Sequence, residues 1–155
     1  MSFRITGLSA EPFRHLYGLS EQDLAAHGAI RRIADACPGY PDRIELRDAR
    51  PGESLLLVNY QHQTANTPYR SSHAIFVLEG AEQTFDRTDE IPDVLARRLL
   101  SLRGFSEKGL LVHADVVDGK DLRQAIPTFF EKPDVSYIHV HNAKQGCYAA
   151  RIDRA

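Results

Sequence analysis

The sequence lacks a set of paired cysteines, a long apolar run and an excess of either charge, and each absence excludes a class of protein. Its two cysteines, Cys37 and Cys147, are too few for the disulfide framework of a small secreted domain. Apolar runs such as 55–58 fall far short of the roughly 18 residues that a membrane span requires. No charged start leads into an apolar segment, so no secretory signal is visible. We therefore expect a cytoplasmic protein with two free thiols and no membrane contact.

Composition is that of an ordinary globular protein. Hydrophobic residues make up 43% of the chain and charged residues 26%. The 19 Lys and Arg against 21 Asp and Glu give a formal net charge of -2, which argues against general nucleic-acid binding. A chain of 155 residues suits one domain, 1–155, and can be stable without a disulfide or a structural metal. Any metal that the protein binds is therefore expected to have a functional role and not a structural one.

Hydrophobic periodicity predicts an α+β fold, a largely antiparallel or mixed sheet with short helices packed on it. Strands are predicted at 2–6, 29–36, 44–46, 54–60, 74–79, 102–105, 109–118, 135–141 and 147–153. Helices are predicted at 10–17, 20–28, 92–100 and 122–130, and a polar loop at 61–73. Residues 99–102 fit either the helix or the strand that follows, and Pro127 predicts a kink or a shorter helix. Glycine-rich phosphate loops are absent, which argues against a dinucleotide or P-loop protein.

The segment 137–142 carries the densest set of chemically active side chains. In a strand, Tyr137, His139 and His141 project from one face, so two imidazoles lie side by side. Such a pair can act as general base or ligate a metal, but a metal needs further ligands. The sequence therefore leaves a divalent metal on His139 and His141 open and favours a metal-free site.

A second polar pair, His113 and Asp115, alternates in the same way along the strand at 109–118. If the two strands are neighbours, these side chains could join His139 and His141 in one catalytic cluster. Asp115 would then orient a histidine. Otherwise His113 and Asp115 lie on a solvated face of the sheet.

The polar loop supplies a candidate ligand-binding set, His62, Tyr69, Arg70 and Ser71. A guanidinium beside hydroxyl groups suits a carboxylate or phosphate, so these residues predict a small anionic ligand. The alternative is a loop whose polar side chains hydrogen-bond to its own backbone.

Cys147 follows the histidine strand closely and is a candidate nucleophile, although a cysteine entering a strand is more often a small buried hydrophobe.

Two functions follow from these residues. The first is a binding protein or enzyme for a small anionic molecule, with a His/Asp site on a sheet face. The alternative is a non-catalytic interaction module, a homodimer or other homo-oligomer, whose histidines are structural. A binding protein or enzyme requires the histidine and aspartate pairs to converge on one open site. An interaction module predicts a histidine face that is covered by protein atoms.

Three stretches carry a resemblance to a known family. They are Ser-Phe-Arg-Ile-Thr-Gly-Leu at 2–8, the segment 51–60 with Thr-Pro-Tyr-Arg-Ser-Ser at 67–72, and Gly-Cys-Tyr-Ala-Ala-Arg-Ile-Asp-Arg at 146–154. The chain resembles, over essentially its whole length, the bacterial domain-of-unknown-function family numbered 1203. The resemblance implies a stand-alone bacterial protein of one domain. It assigns no reaction, so no catalytic residue is carried over.

Overall fold

The computed structural model describes residues 1–155, which form nine strands and three α-helices. The strands are β1 (Phe3–Thr6), β2 (Ile30–Ile33), β3 (Ser54–Gln63), β4 (Ser71–Leu78), β5 (Asp86–Thr88), β6 (Leu99–Phe105), β7 (Leu111–Asp118), β8 (Tyr137–Asn142) and β9 (Tyr148–Arg154). The helices are α1 (Glu21–Ala26), α2 (Asp93–Ala96) and α3 (Leu122–Phe130), with 3-10 turns at Arg14–Leu16 and Gly119–Asp121. No helix is long and apolar enough to cross a membrane.

The strands form two sheets in which every pair is antiparallel. The larger sheet has the order β5-β1-β9-β8-β6-β7, and the smaller has the order β2-β3-β4. Short helices accompany these sheets, which confirms the predicted α+β class. Strand β8 lies near the middle of the larger sheet, so its side chains reach the interior on both faces.

One face of the larger sheet is apolar and forms the first core. Ile138 and Val140 of β8 pack there with Leu100 and Leu102 of β6 beneath helices α2 and α3. The alternate residues of β8, His139 and His141, point to the other face. The pleat of one strand thus separates an apolar core from a polar layer.

The second core lies around the smaller sheet. Leu56 and Val58 of β3 pack with Ile75 and Val77 of β4 and with apolar residues from the N-terminal segments. Tyr148 at the start of β9 belongs to this second core although its strand is part of the larger sheet. Tyr148 therefore joins the two sheets at the end of β8 and β9.

Helix α3 has the predicted bounds, 122–130, and continues through Pro127. A proline inside a helix lacks an N–H donor and costs about 3 kcal/mol. Here Leu122, Ile126 and Phe129 are buried in the first core on one side of the helix. Burial of each such side chain contributes about 1.5–3 kcal/mol, which offsets the missing hydrogen bond. The predicted shortening therefore does not occur, and the helix keeps its full length.

Several predicted elements differ in extent from the structure. The helix predicted at 92–100 ends at Ala96, because Leu100 and Leu102 alternate inward as strand residues. The helix predicted at 10–17 is reduced to one 3-10 turn, since so short a segment gains little from helix propagation. Residues 44–46 form no strand, and only an isolated bridge joins Pro41 to Asp48 nearby. The loop predicted at 61–73 shrinks to 64–70, because β3 and β4 extend into it.

Candidate functional site

Three histidines meet between the two sheets. His62 of β3 lies with its ring centre 4.8 Å from that of His141 and 6.2 Å from that of His139. Tyr148 touches all three rings, stacking on His62 at 5.5 Å and meeting His139 and His141 edge-on at 5.2 and 5.8 Å. We call His62, His139 and His141 the histidine cluster. Its members come from strands that are distant in sequence, so only the sheet packing brings them together.

The histidine cluster is neutral at physiological pH. Burial lowers the pKa of His139 to about 3 and that of His141 to about 3. His62 is less enclosed, and burial with the nearby positive charge of Arg103 lowers its pKa to about 4. His139 is only 4% exposed and His141 1% exposed, so a charged imidazole there would lose its hydration. These rings are therefore uncharged hydrogen-bonding groups.

Each ring of the cluster has a nitrogen without a partner. The Nδ1 of His141 lies 2.9 Å from the carbonyl oxygen of Gly146, and because a carbonyl only accepts, this Nδ1 carries the proton. The buried Nε2 of His141 is then a bare acceptor, and the Nδ1 atoms of His62 and His139 are also unpartnered. No group of three or more His, Cys, Asp or Glu side chains in the structure is placed to hold a metal ion.

His113 and Asp115 do not join the cluster, because the two strands are not neighbours, and the convergence that the sequence left open does not occur. Strand β6 separates β7 from β8, and His113 stands opposite Gly104 while Asp115 stands opposite Leu102. His139 stands opposite Arg103, so the two pairs project from opposite faces. The ring of His113 packs on Phe129 with centres 4.6 Å apart, and the exposed Asp115 accepts from the N–H of Val116.

Of the predicted ligand-binding set, His62 belongs to the cluster, and only Ser71 of the other three residues contacts it. The hydroxyl of Ser71 lies 3.0 Å from Nε2 of His62. Arg70 is exposed and donates weakly to the carbonyl of Ala65 and to Asn66, within its own loop. Tyr69 leans on Phe105 with ring centres 6.1 Å apart. The anion clamp predicted at Arg70 is therefore not part of the site, because the loop turns that side chain onto its own backbone.

A cavity of about 450 Å³ lies beside the β8–β9 turn, and none of the three cluster histidines lines it. Four of its lining residues are basic and none is acidic; the basic ones are Arg43, Arg97, Arg98 and Lys144. We call this space the basic cavity. Apolar wall is supplied by Ile75, Phe76 and Leu99, and Asn142, Cys147 and His73 also line it. Its rim therefore combines positive charge with an apolar surface.

Arg43 forms one wall of the basic cavity and is the largest polar side chain in the interior, at 2% exposed. Its Nε donates to the carbonyl of Tyr148 at 2.8 Å, its Nη1 to the carbonyl of Pro41, and its Nη2 to Sγ of Cys147 at 2.9 Å. Burial lowers the pKa of Arg43, and the nearby Cys147 and Asp42 side chains act in the opposite direction. No carboxylate hydrogen-bonds to this guanidinium.

The other arginines of the basic cavity are anchored by one buried acid. Asp48 accepts two hydrogen bonds from Arg98, at 2.6 and 3.0 Å, and lies 3.5 Å from Arg97. Lys144 forms no such pair and is exposed at the rim. No acidic residue lines the cavity and Lys144 is unpaired, so the cavity keeps a positive potential.

No local sequence pattern marks the residues of the basic cavity, apart from Cys147. Arg43 lies among turn residues, and Lys144 in the polar turn 143–146, where a basic side chain is ordinary. Arg43 reaches Cys147 across 104 positions of sequence. Such a contact can be recognised only when the fold is known.

One comparison with known proteins identifies a family. The sequence model of a family described as "Protein of unknown function (DUF1203)" matches residues 39–154, which confirms the resemblance seen in the sequence. The matched region includes Arg43, all three members of the histidine cluster and Cys147. No curated protein and no solved structure matches the chain.

Proposed function

Because the chain belongs to DUF1203, a family of proteins of unknown function, we propose a function from the site alone: the protein binds a small anionic molecule in the basic cavity. The observation that carries this proposal is the buried guanidinium of Arg43, which has no carboxylate partner. A buried charge is ordinarily paired, since its desolvation costs several kcal/mol. An anion in the cavity would complete that pairing.

The hydrogen-bonding capacity of Arg43 supports the proposal. A guanidinium carries five N–H groups. Three of them donate to Tyr148, Pro41 and Cys147, which leaves two for a ligand. Arg97 and Lys144 add positive charge from the rim. Carboxylate and phosphate oxygens are the acceptors that match such donors.

The apolar part of the cavity wall favours a ligand larger than an inorganic ion. Ile75, Phe76 and Leu99 give it an apolar side. Cavities of a few hundred Å³ with apolar walls and few polar groups are typical of small-molecule sites. The ligand class that fits is a small organic molecule with one or two carboxylate or phosphate groups.

Calorimetric titration with inorganic phosphate and with citrate tests anion binding. We expect millimolar or tighter binding that weakens as salt is raised, because the rim charges are screened. Lys144→Gln should weaken binding about fivefold, the effect of losing an interaction of ~1 kcal/mol. Lys120→Gln is the matched control, since Lys120 is an exposed lysine that does not line the cavity and its loss should change nothing.

Backbone amide NMR of the same titration locates the bound anion. Shifts confined to 142–147 and to the region of Arg43 are expected. Failure of both anions to bind at about 10 mM would refute the proposal. Equal weakening by Lys144→Gln and Lys120→Gln would also count against it, because binding would then follow overall charge and not the cavity.

The interaction module stays as a second candidate, supported by strand β7. This strand is an edge of the larger sheet, and Leu111, Val112 and Val116 on it are exposed. Natural edge strands usually avoid such exposure, so pairing of two β7 strands from two copies of the chain is a specific alternative. The near-complete burial of His139 and His141 suits the structural role that this alternative gives them. Sedimentation velocity of the protein and of Val116→Lys tests it: a dimer that the substitution dissociates is expected.

A further inference from the structure

The sulfur of Cys147 lies in a polar environment that a purely structural cysteine does not need. Cys147 is 7% exposed and lines the basic cavity. Its Sγ lies 2.9 Å from Nη2 of Arg43 and 3.7 Å from Nδ2 of Asn142, and both nitrogens donate toward it. A buried cysteine that only packs behaves as a small hydrophobe among apolar neighbours. Two N–H donors directed at sulfur indicate an electron-rich sulfur atom.

Asn142 gives a second, independent indication of a ligand beside this sulfur. The side chain is 4% exposed and lines the basic cavity, and its Oδ1 has no hydrogen-bond partner. Buried polar atoms in native proteins are almost always paired. With Nδ2 directed at Cys147, the free Oδ1 is left for a donor that the chain does not supply. A ligand in the cavity can supply it.

The β8–β9 turn holds Asn142 and Cys147 in fixed positions. The amide of Asn142 donates to the carbonyl of Cys147 at 2.9 Å, and that of Gly146 donates to the carbonyl of Asn142 at 2.8 Å. Gly146 adopts a φ of 80°, a conformation that favours glycine. His141 donates to the carbonyl of Gly146 and braces the same turn from the histidine cluster. The sulfur is therefore presented to the cavity by a rigid segment.

The thiolate is the nucleophilic form of cysteine, and Arg43 presents the cation with which a thiolate would pair. We propose that Cys147 is a nucleophile that forms a covalent bond with an electrophilic carbon of an anionic molecule held in the basic cavity. This inference rests on the proposed anion binding. In the step, the thiol proton passes to solvent, an S–C bond forms, and the bond from that carbon to its leaving group breaks. The leaving group takes the electron pair, so nothing is oxidised or reduced.

Two alkylating reagents that differ in charge test this inference. Iodoacetate is anionic and iodoacetamide is neutral, and each forms an S–C bond with release of iodide. Ordinary thiols react faster with iodoacetamide. We expect Cys147 to reverse this order, and we expect Cys37, which is exposed, to keep it. Mass spectrometry of the intact full-length protein and its peptides gives both rates from one sample, so Cys37 is an internal control.

Three further measurements connect the reactivity to the structure. Inorganic phosphate should slow the alkylation of Cys147 by iodoacetate and leave Cys37 unaffected. Lys144→Gln should reduce the preference for iodoacetate, and the control Lys120→Gln should not. Asn142→Asp, nearly identical in shape, places a carboxylate beside the sulfur and should slow alkylation by about tenfold or more. This variant keeps Arg43 in place, so the test does not depend on a chain that lacks its buried arginine.

The outcomes separate this inference from the proposed function. Labelling of Cys147 by either reagent only after denaturation would overturn the inference, while phosphate binding measured by calorimetry would still stand. A reactive Cys147 that prefers iodoacetamide and is not protected by phosphate would overturn both, because the cavity would then neither bind nor select anions. Reversal of the reagent order at Cys147, with phosphate protection, supports both.

Discussion

Mild acid should destabilise this protein through two buried histidines. The pKa of His139 and that of His141 are each lowered to about 3 by burial, whereas an unfolded histidine titrates near 6.5. Below pH 6.5 the unfolded chain therefore binds two protons that the folded chain does not. Stability that is fully present above that pH is lost as the pH falls toward 3. His62 acts in the same direction, but solvent reaches its ring and reduces its share.

The expected loss follows from the two pKa values. Between pH 7 and pH 5 each histidine should lower the free energy of unfolding by about 2 kcal/mol, and the pair by about 4 kcal/mol. That is a large part of the roughly 5–15 kcal/mol that stabilises a typical domain. Salt-bridged acids contribute little in this window. The pKa of Glu53 and that of Glu79 are lowered to about 2, so they cost stability mainly below pH 4.5, where their unfolded forms take up protons.

Urea denaturation at pH 7 and pH 5 measures this loss directly. The double variant His139→Gln, His141→Gln removes both titrating groups, and its change in stability between the two pH values should shrink by about 4 kcal/mol. His15→Gln is the matched control, because His15 is exposed. If the wild type loses less than about 1 kcal/mol, or if the double variant loses as much as the wild type, the buried histidines are not the cause.

Two core positions give further predictions. A Cβ at Gly119 would lie 2.0 Å from the carbonyl oxygen of Leu95, so Gly119→Ala should destabilise by about 1–3 kcal/mol or more. Gly39→Ala, where the nearest atom is 3.8 Å away, should be near neutral, and equal midpoints of chemical denaturation for the two variants would contradict the packing argument. Leu102→Ala removes a fully buried side chain between α3 and the larger sheet and should cost about 2–5 kcal/mol by the same assay. A loss below about 1 kcal/mol would mean that the core closes over the gap.

Elements with a strong local pattern could be predicted from the sequence. Helix α3 has the expected bounds, and the hairpin of β8 and β9 lies within two residues of its predicted ends. Elements whose identity depends on their neighbours could not. Leu99 to Leu102 fits a helix or a strand when read alone, and pairing with both β7 and β8 decides for the strand. Tertiary pairing overrides propensity in such short segments.

In the candidate site, too, local pattern predicts some features, while others depend on the fold. Alternation along β8 correctly places His139 and His141 on one face, since a strand has a period of two. It cannot show that β6 lies between β8 and β7, so whether Asp115 joins the histidines could not be decided from the sequence. Nor can it show that Arg43 reaches Cys147, because that contact depends on how the loop before β3 packs against β9. Local pattern reports which face a side chain takes, and the topology decides what it meets there.

The two-sided character of β8 also restricts how the larger sheet can pair. If β8 slid by one residue along β6, both imidazoles would enter the apolar core, and Ile138 and Val140 would enter the polar layer. The two histidines therefore help to specify the register in which β8 pairs with β6, whether or not they take part in any reaction. Replacing both by leucine would remove that distinction between the faces. Such a variant could stay folded while sampling more than one alignment of the central strands.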